Sequence, residues 1–194
     1  MPRTRYVVRV NPDRLHFTGN DEADALLAAE PLALLIGFAL DQQVPVPTAF
    51  QGPLKLKQRL GKLDAEAIAR MDPAELDAAF REKPAVHRFP GNMAKRVQEL
   101  CAVVVDEYGG RADAVWADVR DADELRARIG SLPGFGEMKI KALGSVLAKQ
   151  YGVQAAEPLV PSHPTLGDVD SREALERYQG WKREHKAKQR AARA

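Results

Sequence analysis

The pentapeptide Leu132-Pro133-Gly134-Phe135-Gly136 constrains this chain more than any other stretch. It separates two segments of helical periodicity, Asp123–Gly130 and a second running from about Glu137 to Tyr151. Pro133 fixes one backbone angle, while Gly134 and Gly136 flank a single apolar residue, so the chain can reverse with no side chain at positive φ. The expected outcome is two helices joined by a hairpin.

The start of the second helix then presents backbone N–H groups that lack intrahelical partners, and the helix dipole favours an anion there. The two glycines let a phosphodiester backbone approach closely, and Lys139 and Lys141 add positive charge. Pro133, Gly134, Phe135, Gly136, Lys139 and Lys141 are therefore candidate DNA-binding residues. A Leu-Pro-Gly-apolar-Gly turn leading into a basic helix resembles the helix-hairpin-helix motif, which holds DNA phosphates without reading sequence. A plain helical hairpin is the alternative.

The length of 194 residues and the 45% hydrophobic content suit one globular domain with tails. The single cysteine, Cys101, lies in the apolar run Val97–Val105, which predicts a buried thiol and rules out a disulfide within the chain. One thiol also cannot supply the four thiolates of an iron–sulfur cluster. His16, His87, His163 and His185 have no metal-ligand spacing. With no signal peptide and no apolar run of roughly 18 residues, a cytoplasmic, nucleoid-associated protein without a membrane partner is expected.

Charge is unevenly spread. From Trp181 to Ala194 six basic residues against Glu184 give +5, leaving −3 elsewhere in a chain of net charge +2. Such a tail attracts phosphates or simply solvates a helix end. The division expected is an N-terminal arm (1–20), a helical domain (21–180) and a basic tail (181–194).

Along the chain, Arg5–Val10 is β-branched and short, a strand or extended arm closed by Asn11-Pro12-Asp13. Beyond it all segments read as helical. Pro31 opens an apolar helix that is expected to run to Gln43, buried along its length with Asp41-Gln42-Gln43 at a surface or cleft. Gln42 and Gln43 are there placed to meet a base or enter a duplex. The loop Lys83–Asn92 feeds a helix from about Met93 to Tyr108, ended by Gly109-Gly110, and Trp116 reads as core. Phe38, Phe89, Tyr151 and Trp181 could stack on an extruded base, or serve as packing.

The apolar helix ending in Gln-Gln, the segment with Gly91, Asn92 and Lys95, and the hairpin occur in an order similar to that of the helix-hairpin-helix DNA glycosylase superfamily, the group that includes endonuclease III. The likeness covers roughly Pro31 to Tyr151 and is nearest an actinobacterial branch of that superfamily. It implies an all-α, two-lobed fold with a cleft between the lobes. It also implies base excision, in which a damaged nucleotide is turned out of double-stranded DNA and its N-glycosidic bond is cut by a monomeric enzyme. By carry-over, Gln42 and Gln43 would fill the gap left by the base. The carbonyls of Gly130, Leu132 and Phe135 could hold a monovalent cation, K+ or Na+, although no cofactor is required.

The chemistry departs from the family pattern. Members that also cut the backbone carry a nucleophilic lysine two residues after the second hairpin glycine, where this chain has Met138. Lys139 is one residue later, about 100° further round a helix, which disfavours a lyase. The family's aspartate is replaced at its usual spacing by Ala156. Asp168 and Asp170 follow beyond a proline-rich stretch as candidate catalytic carboxylates. Asp168 is the first choice, because Asp170 or Ser171 is needed to cap the last helix. The function expected is a monofunctional DNA glycosylase, with a non-catalytic DNA-binding or lesion-recognition protein of the same fold as the alternative.

Overall fold

A computed structural model of the chain describes residues 11–192. The arm or strand expected at Arg5–Val10 lies outside them. Among the described residues the regular structure is entirely helical, as the sequence implied.

The first helix, α1 (Asp21–Ala29), starts where the Asn20 side chain accepts the Ala23 N–H at 2.9 Å. Pro31 opens α2 (Pro31–Leu40), in which every residue from Leu32 to Leu40 is buried. Its lack of a polar face makes it the central helix, touching α1, α3 and α6. It is shorter than expected. The Asp41 N–H closes on the carbonyls of Gly37 and Phe38, and Asp41 leaves helical geometry with ψ 73°. Gln42 and Gln43 therefore stand in a turn beyond the helix, with Gln43 at φ 58°, a left-handed conformation uncommon for a side-chain-bearing residue. Pro45 then starts α3 (Val46–Leu60).

Packing of α2 on α3 requires Gly37, since a Cβ there would lie 2.5 Å from the Phe50 ring. Phe50 also meets Phe17 and Phe38 edge-on, each at 5.1 Å between centroids. Two short helices, α4 (Ala65–Arg70) and α5 (Pro73–Arg81), begin on the carboxylates of Asp64 and Asp72. They flank α6 (Pro90–Tyr108), which ends at Gly109 in the left-handed region. Trp116 and Cys101 are core residues, and burial pushes the Cys101 thiol up to about 12, so it stays protonated.

The hairpin joins α7 (Ala122–Gly130) to α8 (Glu137–Tyr151), within a residue of the expected bounds, and Leu132 and Phe135 anchor it in the core. Two 3₁₀ segments, Gln154–Leu159 and Leu166–Asp168, pack along α8. The last helix, α9 (Arg172–Ala191), is capped by Ser171. It runs through residue 181 without a break, so the basic tail begins as its outer half. At the other end Leu15 and Phe17 are already fully buried, which puts the chain in the core before residue 21. One hydrophobic core runs through the described residues, and the Tyr151 hydroxyl ties α8 to α1 through the carbonyls of Leu27 (3.3 Å) and Ala28 (3.4 Å).

Candidate nucleic-acid interface

The hairpin presents the row of donors its sequence implies. Phe135 N–H bonds the Leu132 carbonyl, and Lys139 and Ile140 N–H bond the Gly136 carbonyl. The amides of Gly134, Gly136, Glu137 and Met138 have no protein acceptor among the described residues. Gly136, the N-cap, has no side chain to take that role. Four donors at the positive end of a 15-residue helix suit an anion. Gly134 has φ +79°, which favours glycine. One feature opposes a phosphate: the Glu137 carboxylate at the mouth. Arg126 offsets it with contacts of 2.7 Å to each oxygen, and Lys141 lies 3.4 Å away. Part of the Lys141 charge is thus spent on Glu137 rather than free for DNA.

Met138 and Lys139 go opposite ways. Met138 is 86% exposed, whereas the Lys139 side chain turns inward across the end of α2 and donates to the Ala39 carbonyl at 3.3 Å. Its Nζ also lies 5.4 Å from the Phe135 ring centroid. Burial lowers the Lys139 pKa to about 8; Asp41 raises it in part, and the Arg96 charge lowers it further. An amine with that pKa is still mostly protonated near physiological pH, with a neutral, nucleophilic fraction far above that of an ordinary lysine.

Asp41 is the acid of this cleft, and the sequence reading passed it over. Burial raises its pKa, against the charges of Lys182 on α9 and Lys139 on α8. No side-chain hydrogen bond engages its carboxylate among the described residues. Tyr178, also on α9, has its phenol pushed up by burial and by the charges of Asp41 and Asp168. The end of α2, the first turn of α8 and the middle of α9 thus bring one carboxylate, two lysines and a phenol within electrostatic reach of one another. The only local sequence signal was Asp41 as the first polar residue after nine apolar ones.

Arg96, in the second turn of α6, is a second residue the sequence left unmarked. Its Nη1 donates to Gln42 Oε1, and its guanidinium lies over Gly134, where a Cβ would come within 3.0 Å of Nε. Arg96 therefore bridges the α2–α3 turn and the hairpin. Gln42 is also fixed through its backbone. His87 Nδ1 accepts the Phe89 N–H at 3.0 Å, so Nε2 carries the proton and donates to the Gln42 carbonyl at 3.1 Å. Burial keeps this imidazole neutral by lowering its pKa. Gln43 is exposed beside it.

The favoured carboxylate is where the structure departs most from expectation. Asp168, not Asp170, serves the local cap: its Oδ2 accepts from Thr165 N–H at 2.9 Å and Thr165 Oγ1 at 3.1 Å, and its Oδ1 pairs with Lys149. Burial pushes its pKa up, but these bonds outweigh that and hold it below the usual range. Ser171 caps α9, which leaves Asp170 exposed and unengaged. Of the aromatic candidates, Phe38 and Tyr151 are core, while Phe89 remains 38% exposed. At the cation position, the Gly130 and Phe135 carbonyls accept no turn bond, and the Leu132 carbonyl keeps a lone pair beside the Phe135 bond, so the donor types fit a monovalent ion.

Two open concavities lie elsewhere. One of 610 Å³ lies between Glu30, Lys62 and Arg111, and one of 380 Å³ between α5 and α6.

An all-helical scaffold with a phosphate-shaped hairpin against the end of its central helix defines a DNA-binding helix-hairpin-helix protein. The chain belongs to the HhH-GPD superfamily of base excision DNA repair proteins, whose family profile matches residues 36–194. No curated protein and no solved structure matches the chain. It is a base excision DNA repair protein, and its ligand is DNA.

Proposed function

We propose that this protein is a DNA N-glycosylase that hydrolyses the bond between a damaged or deaminated base and its sugar. The duplex sits on the hairpin amides and Arg96, Gln42 and Gln43 occupy the gap left by the extruded nucleotide, and the sugar enters the cleft between α2, α8 and α9. The carrying observation is the inward turn of Lys139, whose Nζ donates to the Ala39 carbonyl at 3.3 Å two residues from Asp41, so that its charge acts on that carboxylate. In this reading Asp41 stabilises the oxocarbenium-like sugar and orients water, with burial raising its pKa and the charges of Lys182 and Lys139 opposing that rise. Asp168, committed to Thr165 and Lys149, shapes the cleft wall. Duplexes carrying uracil, hypoxanthine, alkylated or oxidised bases test the reading. Base release that is lost in Asp41→Asn and kept in Asp168→Asn and Asp170→Asn is expected. Tight binding with no release from any of them would favour a lesion-recognition protein without chemistry.

One observation supports a second reading. The inward, partly neutral Lys139 amine is where an AP-lyase nucleophile would be needed, although its sequence position argues against that activity. Borohydride trapping on an abasic duplex separates the two. A covalent adduct lost in Lys139→Gln supports a lyase, and no adduct supports hydrolysis alone.

A further inference from the structure

From Lys182 to Ala192 every residue of α9 is exposed, so this half of the helix buries no apolar surface of its own. A helix that is polar all round needs another source of stability, such as ion pairs or a partner. Intrahelical ion pairs do not provide it. The α9 pair among the described residues, Arg172–Glu176, lies in the inner half. Lys182, Arg183, Lys186, Lys188 and Arg190 have no carboxylate partner among the described residues, and Glu184 is the single acid there.

The cations are arranged. Lys182, Lys186 and Arg190 recur every fourth residue, so they form one stripe with about 6 Å of rise between neighbours. That stripe starts at the cleft: Lys182 lies 5.6 Å from the Tyr178 ring centroid and is a charge felt by Asp41. Beside it three rings brace the helix. Trp181 stacks on His163 of the preceding loop at 5.5 Å and on His185 at 5.1 Å, fixing the direction in which α9 leaves the domain.

We propose that the outer half of α9 is a second phosphate-binding element, on which Lys182, Lys186 and Arg190 follow the backbone of the DNA strand flanking the nucleotide held at the hairpin. The partner is duplex DNA because the stripe starts at Lys182, against Tyr178 and with its charge acting on Asp41, and its charge is complementary to a line of phosphates. The contact is independent of sequence, since the stripe offers point charges and no planar reader of base edges other than Arg190. It rests on the hairpin face being the duplex site.

The test is the salt dependence of binding to an undamaged duplex, measured on the full chain. Each lost phosphate contact lowers the slope of log K against log salt by about 0.9. The double variant Lys186→Gln plus Arg190→Gln should lower the slope by about 2 and weaken binding by tens of fold at about 0.1 M salt. The charge-matched control Lys57→Gln plus Lys62→Gln, on the far concavity, should change it little. An unchanged slope in the α9 variant, or an equal loss in the control, would overturn the proposal. The double variant Gly134→Ala plus Gly136→Ala reports on the hairpin separately. If it leaves binding intact while the α9 variant does not, α9 contacts DNA but the hairpin reading fails, and the placement of the α9 contact on the strand beside the hairpin is overturned with it.

Discussion

The Lys139 ammonium lies 3.3 Å from the Ala39 carbonyl oxygen, a contact between groups 100 residues apart in sequence. It closes the hairpin against the end of the central helix and brings the Lys139 charge within electrostatic reach of Asp41. At the position where the family resemblance implied a nucleophile, Met138 faces solvent, and its neighbour Lys139 turns inward.

Lys139 should titrate far below an ordinary lysine. With its pKa near 8, roughly a quarter of the amine is neutral at pH 7.5, against about 0.1% for an unperturbed side chain. Amine-reactive labelling followed by mass spectrometry should give a midpoint close to 8 at this residue. Asp41→Asn should move that midpoint lower, since the carboxylate favours the charged form. A midpoint near 10.5 would show that the amine is fully solvated.

The same burial makes Lys139 costly to the fold. Its folded pKa lies below the unfolded value, so protonation opposes folding at neutral pH, and stability recovers as pH rises from about 8 towards 10.5. Lys139→Met should therefore raise stability at pH 7 by about 1–3 kcal/mol, with the gain fading above about pH 10.5. Thermal melts of both proteins across this range would read it. A variant that melts lower at pH 7 would refute this.

Asp168→Asn should disturb structure and spare chemistry. It removes the Lys149 pair and weakens the Thr165 capping box, for an expected loss of about 0.5–1.5 kcal/mol. Because the folded carboxyl is held below its ordinary value, that contribution is present above about pH 4 and disappears as pH falls further. Base release should persist. A variant of normal melting temperature without release would instead place Asp168 at the reaction.

Arg96→Ala should weaken duplex binding by about tenfold, and Arg96→Lys should restore little of it. The guanidinium spans the Gln42 amide and Gly134 together, a reach that a single ammonium does not reproduce. Fluorescence anisotropy with an abasic-analogue duplex measures both. Full rescue by lysine would reduce Arg96 to a source of charge.

The scaffold was legible in the sequence to an unusual depth at the hairpin, because Pro133, Gly134 and Gly136 encode its geometry locally and α7 and α8 lie within a residue of their expected bounds. The end of α2 was not. Apolar periodicity carries on smoothly into Asp41, and the early stop comes from a backbone cap on Gly37 and Phe38 that leaves no mark in the side chains. Asp168 was favoured because capping was assigned to its neighbours, yet the Thr165 box, three residues upstream, claims it. Asp41 and Arg96 owe their place to contacts across the fold, over distances in sequence that no local pattern spans.

Four hairpin amides have no protein acceptor among the described residues, and they can be observed one by one. In amide NMR spectra of the ¹⁵N-labelled protein titrated with a duplex containing an abasic analogue, the signals of Gly134, Gly136, Glu137 and Met138 should move most, together with those of the Gln42–Gln43 turn. If these signals stay in place while others respond, DNA binds a different face and the proposed cleft is not the site.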